Sequence, residues 1–296
     1  MHVLLCAGLI LASSVTEPPL RVIHADTELW QAMIRKLSGP EAVASREPMT
    51  DGQLAWLTLI RARAPRWEME IAKLATNYAP AAVGAVTIVA GNGGGQDAFT
   101  HDATTIGFDI ARLHAEYGDA TSAENTARID RFFRHEYTHL LQKAWLREHP
   151  YEAITPLDAA LLGIWSEGLG NYESLSERWL GSSETARRTL GELEPRFVTR
   201  LAALACTSDE MANALTADLS MGRFDRKWGA LPVALWLERE ARESPDAIRE
   251  LVLAGPNGIW NLAERHLDER SRAMLREVQA AAALCGSVTA SRSPWP

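Results

Sequence analysis

Only three cysteines, Cys6, Cys206 and Cys285, occur in 296 residues, and none belongs to a CxxC pair. That excludes a disulfide-built scaffold and a cysteine-bound zinc ribbon. Cys206 and Cys285 are open to two readings, a single bridge or two buried thiols. Lysine is also scarce: Lys36, Lys73, Lys143 and Lys227 are the full set, and the other cationic residues are arginine. The formal net charge is -8, from 30 Lys+Arg against 38 Asp+Glu. Without a polybasic run, the chain lacks the clustered cations that bind nucleic-acid phosphates or an anionic membrane surface. The arginine excess reads as codon bias, with no cluster marking a binding face. No repeat or low-complexity segment emerges. The glycine triplet Gly93-Gly94-Gly95 lacks the GK[ST] of a phosphate loop and reads as a mobile hairpin connection.

What is present is ordinary for a folded protein: 47% hydrophobic and 23% charged residues, enough to bury a sizeable core. The first apolar run, Val3 to Ala12, is too short to span a bilayer. With the small residues Ala12, Ser13 and Ser14 after it, it reads as a signal peptide over residues 1–20. That predicts export to the periplasm or beyond, with no stable membrane insertion after cleavage. The positive n-region is missing, so a mis-assigned start or a buried N-terminal strand, with a cytoplasmic location, fits the same residues.

Helical patterning dominates, and the fold class is α+β, mostly α-helical. Helices are expected from Asp26 to Lys36, from Asp51 to Arg63 before Pro65, and from Trp67 to Tyr78. Val83 to Ala90 and Thr104 to Ile110 read as two strands of a small antiparallel sheet. Thr121-Ser-Ala-Glu124 has capping-box spacing and starts a helix running to His149-Pro150. Thr155-Pro156 starts the next. Further helices fit Glu184 to Leu204, Ser208 to Leu219, Gly229 to Arg242, Asp246 to Ala254 and Asn261 to Ala283.

The chemistry is concentrated in His135-Glu136-Tyr137-Thr138-His139. Residues four apart share a helical face, so both imidazoles can reach one ion, with Glu136 beside it to act on a bound water. Two imidazoles suit Zn²⁺, one per chain, which then needs a third protein ligand. A continuation HxxGxxH is absent, because Gln142 and Trp145 stand in its positions. Glu167, in Trp165-Ser-Glu-Gly-Leu-Gly-Asn-Tyr-Glu173 on the following helix, is the next candidate, with Glu173 a weaker substitute. Gly163, Gly168 and Gly170 permit two helices to approach closely, and mid-helix glycine otherwise costs about 1 kcal/mol. Asn171, one turn after Glu167, is placed to hold a ligand imidazole by its second nitrogen.

Together, His135-Glu-Tyr-Thr-His139 and Trp165-Ser-Glu-Gly-Leu-Gly-Asn-Tyr172 resemble the gluzincin branch of zincin metallopeptidases over about Val83 to Trp179. The resemblance implies His135, His139 and Glu167 as zinc ligands and Glu136 as general base. It also implies an edge strand above the metal helix and a helical C-terminal half walling the cleft. The chain then divides into a zincin-like catalytic region, 21–180, and a helical region, 181–290, across a soft boundary. It departs from the thermolysin-like third-ligand motif, from the GxMEN sequence of the aminopeptidase relatives, and in the longer gap between His139 and Glu167. Relatives often stabilise the oxyanion with a later tyrosine or histidine, but no tyrosine follows Tyr172. His101, His266 and Arg223, with Arg226 and Lys227 beside it, are the substitutes considered for oxyanion or substrate contact. The reading is a zinc metallopeptidase acting on a peptide or protein substrate. The alternative is a catalytically weak or inactive zinc-binding scaffold with the same fold.

Overall fold

The computed structural model describes residues 20–24, 27–45, 47–93, 95–181 and 183–290. The signal-peptide run Val3 to Ala12 lies outside them. Leu20, inside the expected signal segment, instead opens a strand, β1 (Leu20–His24), paired in parallel with β2 (Val86–Gly91). Between them come α1 (Thr27–Ser38) and α2 (Asp51–Ala75). β3 (Ala98–Thr100) and β4 (Thr105–Asp109) complete a four-stranded mixed sheet of order β1-β2-β4-β3.

The two strands expected as an antiparallel pair, β2 and β4, are therefore parallel neighbours. Residues 92–104 are long enough to carry β3 out to the sheet edge, where it pairs antiparallel with β4. The chain returns between β2 and β3, which reverses its direction relative to a simple hairpin. β2 is buried throughout because both sheet faces are covered. Val86, Ile88 and Ala90 face the main core, whereas Val89 packs with Trp30, Met33 and Ile34 of α1 and with Phe99. The glycine-rich connection is tied down: Gly93 and Gly95 donate their N–H groups to the Asp109 carboxylate at 3.2 and 2.9 Å.

After α3 (Ile110–Tyr117) the chain is helical: α4 (Ala123–Glu148), α5 (Pro156–Glu173), α6 (Glu184–Leu204), α7 (Asp209–Leu215), α8 (Ala230–Glu243), α9 (Ala247–Ala254), α10 (Gly258–His266) and α11 (Glu269–Ala290). Several expected boundaries differ, α7 among them, which stops at Leu215 and not at Leu219. α2 runs through Pro65 as one helix, because Trp56, Leu57 and Ile60 before the proline and Trp67 and Leu74 after it are all buried. Burial at about 1.5–3 kcal/mol per large side chain outweighs the roughly 3 kcal/mol cost of an interior proline. α4 is capped by Ser122, whose side chain accepts from Asn125 N, and not by Thr121. The last expected helix breaks at Leu267, and Asp268 restarts it by accepting from Ser271 N at 2.7 Å. The Thr155 capping box of α5 forms as expected, with Asp158.

One hydrophobic core extends from Leu20 to Val278, so the helical half packs into the same interior as the sheet. Cys206 is disulfide-bonded, and its Sγ lies 3.9 Å from the Ala281 carbonyl of α11. The side chain of Cys285 lies outside the described residues. Among the described residues, no helix is long and apolar enough to cross a membrane.

α4 is fixed to α2 by a buried carboxylate. Asp130 accepts from Arg63 at 2.9 and 2.6 Å and from Trp67 Nε1 at 2.8 Å, while Trp67 stacks on Phe133 at 4.6 Å. Asp130→Ala would leave the Trp67 indole and the Arg63 guanidinium without their acceptor. We expect a loss of about 3 kcal/mol in denaturant unfolding, against less than about 1 kcal/mol for Arg66→Ala at the exposed edge of the same network.

Candidate metal centre

Because α4 presents residues 135 and 139 one turn apart, the two imidazoles meet edge to face, with Nε2 to Nε2 3.0 Å apart. α5 crosses beside them and brings in Glu167, whose carboxylate oxygens lie 3.6 Å from His135 Nε2 and 3.6 Å from His139 Nε2. The three ligand atoms lie within 4.8 Å of one another, a group that could hold a metal ion. All three side chains are only partly exposed, and a cleft of about 260 Å³ lined by Thr100, Lys143, Ser166 and Leu146 opens at His139 and Glu167.

The imidazole far nitrogens set the tautomers. Gln142 Nε2 donates to the Ser166 carbonyl at 2.8 Å and Ser166 Oγ donates to Gln142 Oε1 at 2.8 Å. The Gln142 oxygen is thereby fixed as an acceptor, so His139 Nδ1, 2.8 Å from it, carries the proton and Nε2 turns a lone pair to the centre. His135 is held well below the usual histidine range by burial, then by His139 and Lys227, with the Gly170 carbonyl opposing. It is therefore neutral and able to ligate.

Gly170 is a steric requirement for this arrangement. A Cβ there would stand 2.9 Å from His135 Cε1 and 3.0 Å from Nδ1. Gly168 serves a different contact, since its Cβ would meet Val233 of α8 at 2.4 Å, and at Gly163 a Cβ would make only an ordinary contact with Leu219 at 3.5 Å. Asn171 does not hold an imidazole. It is buried, its Nδ2 has no hydrogen-bond partner among the described residues, and at His139 the second ring nitrogen is met by Gln142. Ser174 Oγ, 3.5 Å from His135 Nδ1, is a weaker neighbour. Glu173 is outside the ligand group.

Glu136 is buried, and burial pushes its carboxyl up to about 7; His139 opposes this, Glu167 reinforces it, and Lys143 and Lys227 oppose it more weakly. Of the residues considered for oxyanion contact, two have side chains engaged elsewhere. His266 pairs with Glu240 at 3.0 Å and stacks on Trp236. Arg223 is exposed and pairs with Asp225 at 2.7 Å. His101 sits in the β3–β4 turn, where its carbonyl accepts from Lys36, but its ring Nδ1 is buried and has no hydrogen-bond partner among the described residues. Lys227 also differs from those two: among the described residues its ammonium makes no ion pair, it is lowered by burial, and Glu167 and Glu136 act on it as opposing charges. Lys143 closes the other side, donating to Thr100 Oγ1 at 2.6 Å. The signal in the sequence was the rarity of lysine, which an explanation from codon usage hid.

Gly170→Ala is expected to weaken Zn²⁺ binding by about tenfold or more, as displacement of a ligand's support typically does, while Gly163→Ala leaves it unchanged. Competition with a chromophoric chelator measures both, and equal affinities for the two variants would show that the His135–Gly170 contact is unimportant. No known protein family, no curated protein and no solved structure gives a significant match to this chain.

Proposed function

We propose that the chain is a zinc-dependent peptidase of gluzincin type. The observation that carries this reading is the convergence of His135, His139 and Glu167, with the Glu136 carboxylate buried beside them and outside the ligand set. Two imidazoles and a carboxylate match the donor set of catalytic zinc. Ligands about 2.1 Å from a tetrahedral ion stand about 3.4 Å apart, and the distances here, 3.0 and 3.6 Å, bracket that value. Bound zinc would polarise a carbonyl and bring the pKa of a bound water towards neutrality.

The chain's own groups supply the rest. Glu136, next along the helix from a ligand and without a hydrogen-bond donor among the described residues, takes the proton of the attacking water and delivers it to the leaving amine. Lys227 balances the negative charge that develops on the substrate carbonyl oxygen. β3 is the terminal strand of the sheet and packs against α4, so an extended substrate can pair with its open edge while its carbonyl reaches the ligands. A disulfide at Cys206 favours an oxidising compartment. The rival, a zinc scaffold without catalysis, leaves a buried Glu136 with no task, although burying a carboxylate is costly.

Glu136→Gln should retain about one zinc per chain and lose about 100-fold or more in hydrolysis of a mixed peptide library followed by mass spectrometry. Lys227→Met should also keep the metal, with kcat falling about 100-fold and KM little changed. Cleavage by Glu136→Gln at the wild-type rate would remove it as the base. Zinc-free wild-type protein after chelator-free purification would overturn the whole reading.

A further inference from the structure

Arginines far apart in the sequence meet in a second groove, of about 380 Å³. Arg128 and Arg131 come from α4, Arg178 from the short turn after α5, and Arg223 from the segment before α8. Arg131 precedes His135 by four residues, so the two share a helix face, about 6 Å apart along the axis, with Arg128 about one turn further. The far wall adjoins residues near the metal centre: Ser176 lines it two residues after Ser174, the His135 neighbour, and Phe224 both lines it and lies 5.4 Å below Lys227 Nζ.

The four guanidiniums face two carboxylates, Glu124 and Asp225, which leaves a surplus of two positive charges in a protein of net charge -8. Arg128 and Arg131, 22% and 14% exposed, both lean on Glu124, which is itself 63% exposed and free to move aside. Asp225 is taken by Arg223. Among the described residues Arg178 has no carboxylate partner; it lies over the Trp179 ring at 4.8 Å, and Trp179 in turn packs on Phe224 at 5.3 Å. Forked donors beside flat apolar rings suit a carboxylate carried on an aliphatic stem.

We propose that this groove is a subsite for acidic side chains of the peptide whose bond lies at the metal centre. The placement relative to a cleaved bond rests on the peptidase reading; the affinity for acidic peptide does not. An extended strand advances about 3.3 Å per residue, so Arg131 meets a side chain about two residues from the bond and Arg128 one about three residues away.

The test is fluorescence anisotropy with labelled hexaglutamate, a neutral Gly/Ser hexapeptide and a thymidine hexanucleotide, on the protein as purified and after EDTA. Hexaglutamate should bind about tenfold or more tightly than the neutral peptide in both states, with affinity falling as salt rises. Arg131→Gln/Arg178→Gln should abolish that preference. Arg178→Gln alone, at an exposed position, should reduce it and guards against unfolding of the double variant. Equal binding of acidic and neutral peptides, full binding by the folded variants, or tighter binding of the oligonucleotide would each overturn the proposal. Hexaglutamate binding without zinc or hydrolysis would leave the groove and remove the peptidase; zinc-dependent hydrolysis indifferent to acidic residues would do the reverse.

Discussion

The approach of α5 to α4 at Gly170 and His135 governs the candidate centre. Without a side chain at residue 170 the imidazole lies directly against the α5 backbone, with its neutral form favoured by burial. The same crossing places Ser166 and Gln142 together to fix the His139 tautomer, and sets Glu167 opposite both rings. On its other side α5 packs closely on α8 through Gly168 and Val233, which holds the crossing in place from behind. α4 is in turn anchored to α2 by Asp130. The three candidate ligands thus sit on rigid elements braced from two directions, as a site needing sub-ångström placement requires.

Charge is distributed to the same end. An acidic protein gathers Lys143 and Lys227 around one buried carboxylate, and gathers four arginines on the adjoining stretch of α4 and its neighbours. Glu136 therefore sits where burial raises its proton affinity while nearby cations restrain the rise. That balance suits a group that must accept and release a proton near neutrality.

Much of the site was legible in the sequence because the information was local. His135, Glu136 and His139 need only helical spacing, and Glu167 needs only a second helix with glycines at its contact face. The capping box at Thr155 and the span Glu184–Leu204 were readable for the same reason. What was missed depends on partners distant in the chain. The parallel pairing of β2 and β4 depends on where β3 goes, and Pro65 is tolerated because the tryptophans on either side of it are buried. Asn171 has the right spacing but makes no hydrogen bond to either imidazole among the described residues, whereas Gln142, dismissed as the residue that breaks a longer histidine motif, supports His139. The arginines of the groove are spread over residues 128–223, so no run in the sequence betrayed them.

The central claim is that one ion is held between His135, His139 and Glu167. Diffraction from crystals grown with zinc, recorded on both sides of the zinc absorption edge, tests it most directly. The account predicts a single strong anomalous peak about 2.0–2.2 Å from both Nε2 atoms and from a Glu167 oxygen. A peak elsewhere, or none at these three side chains, would contradict it.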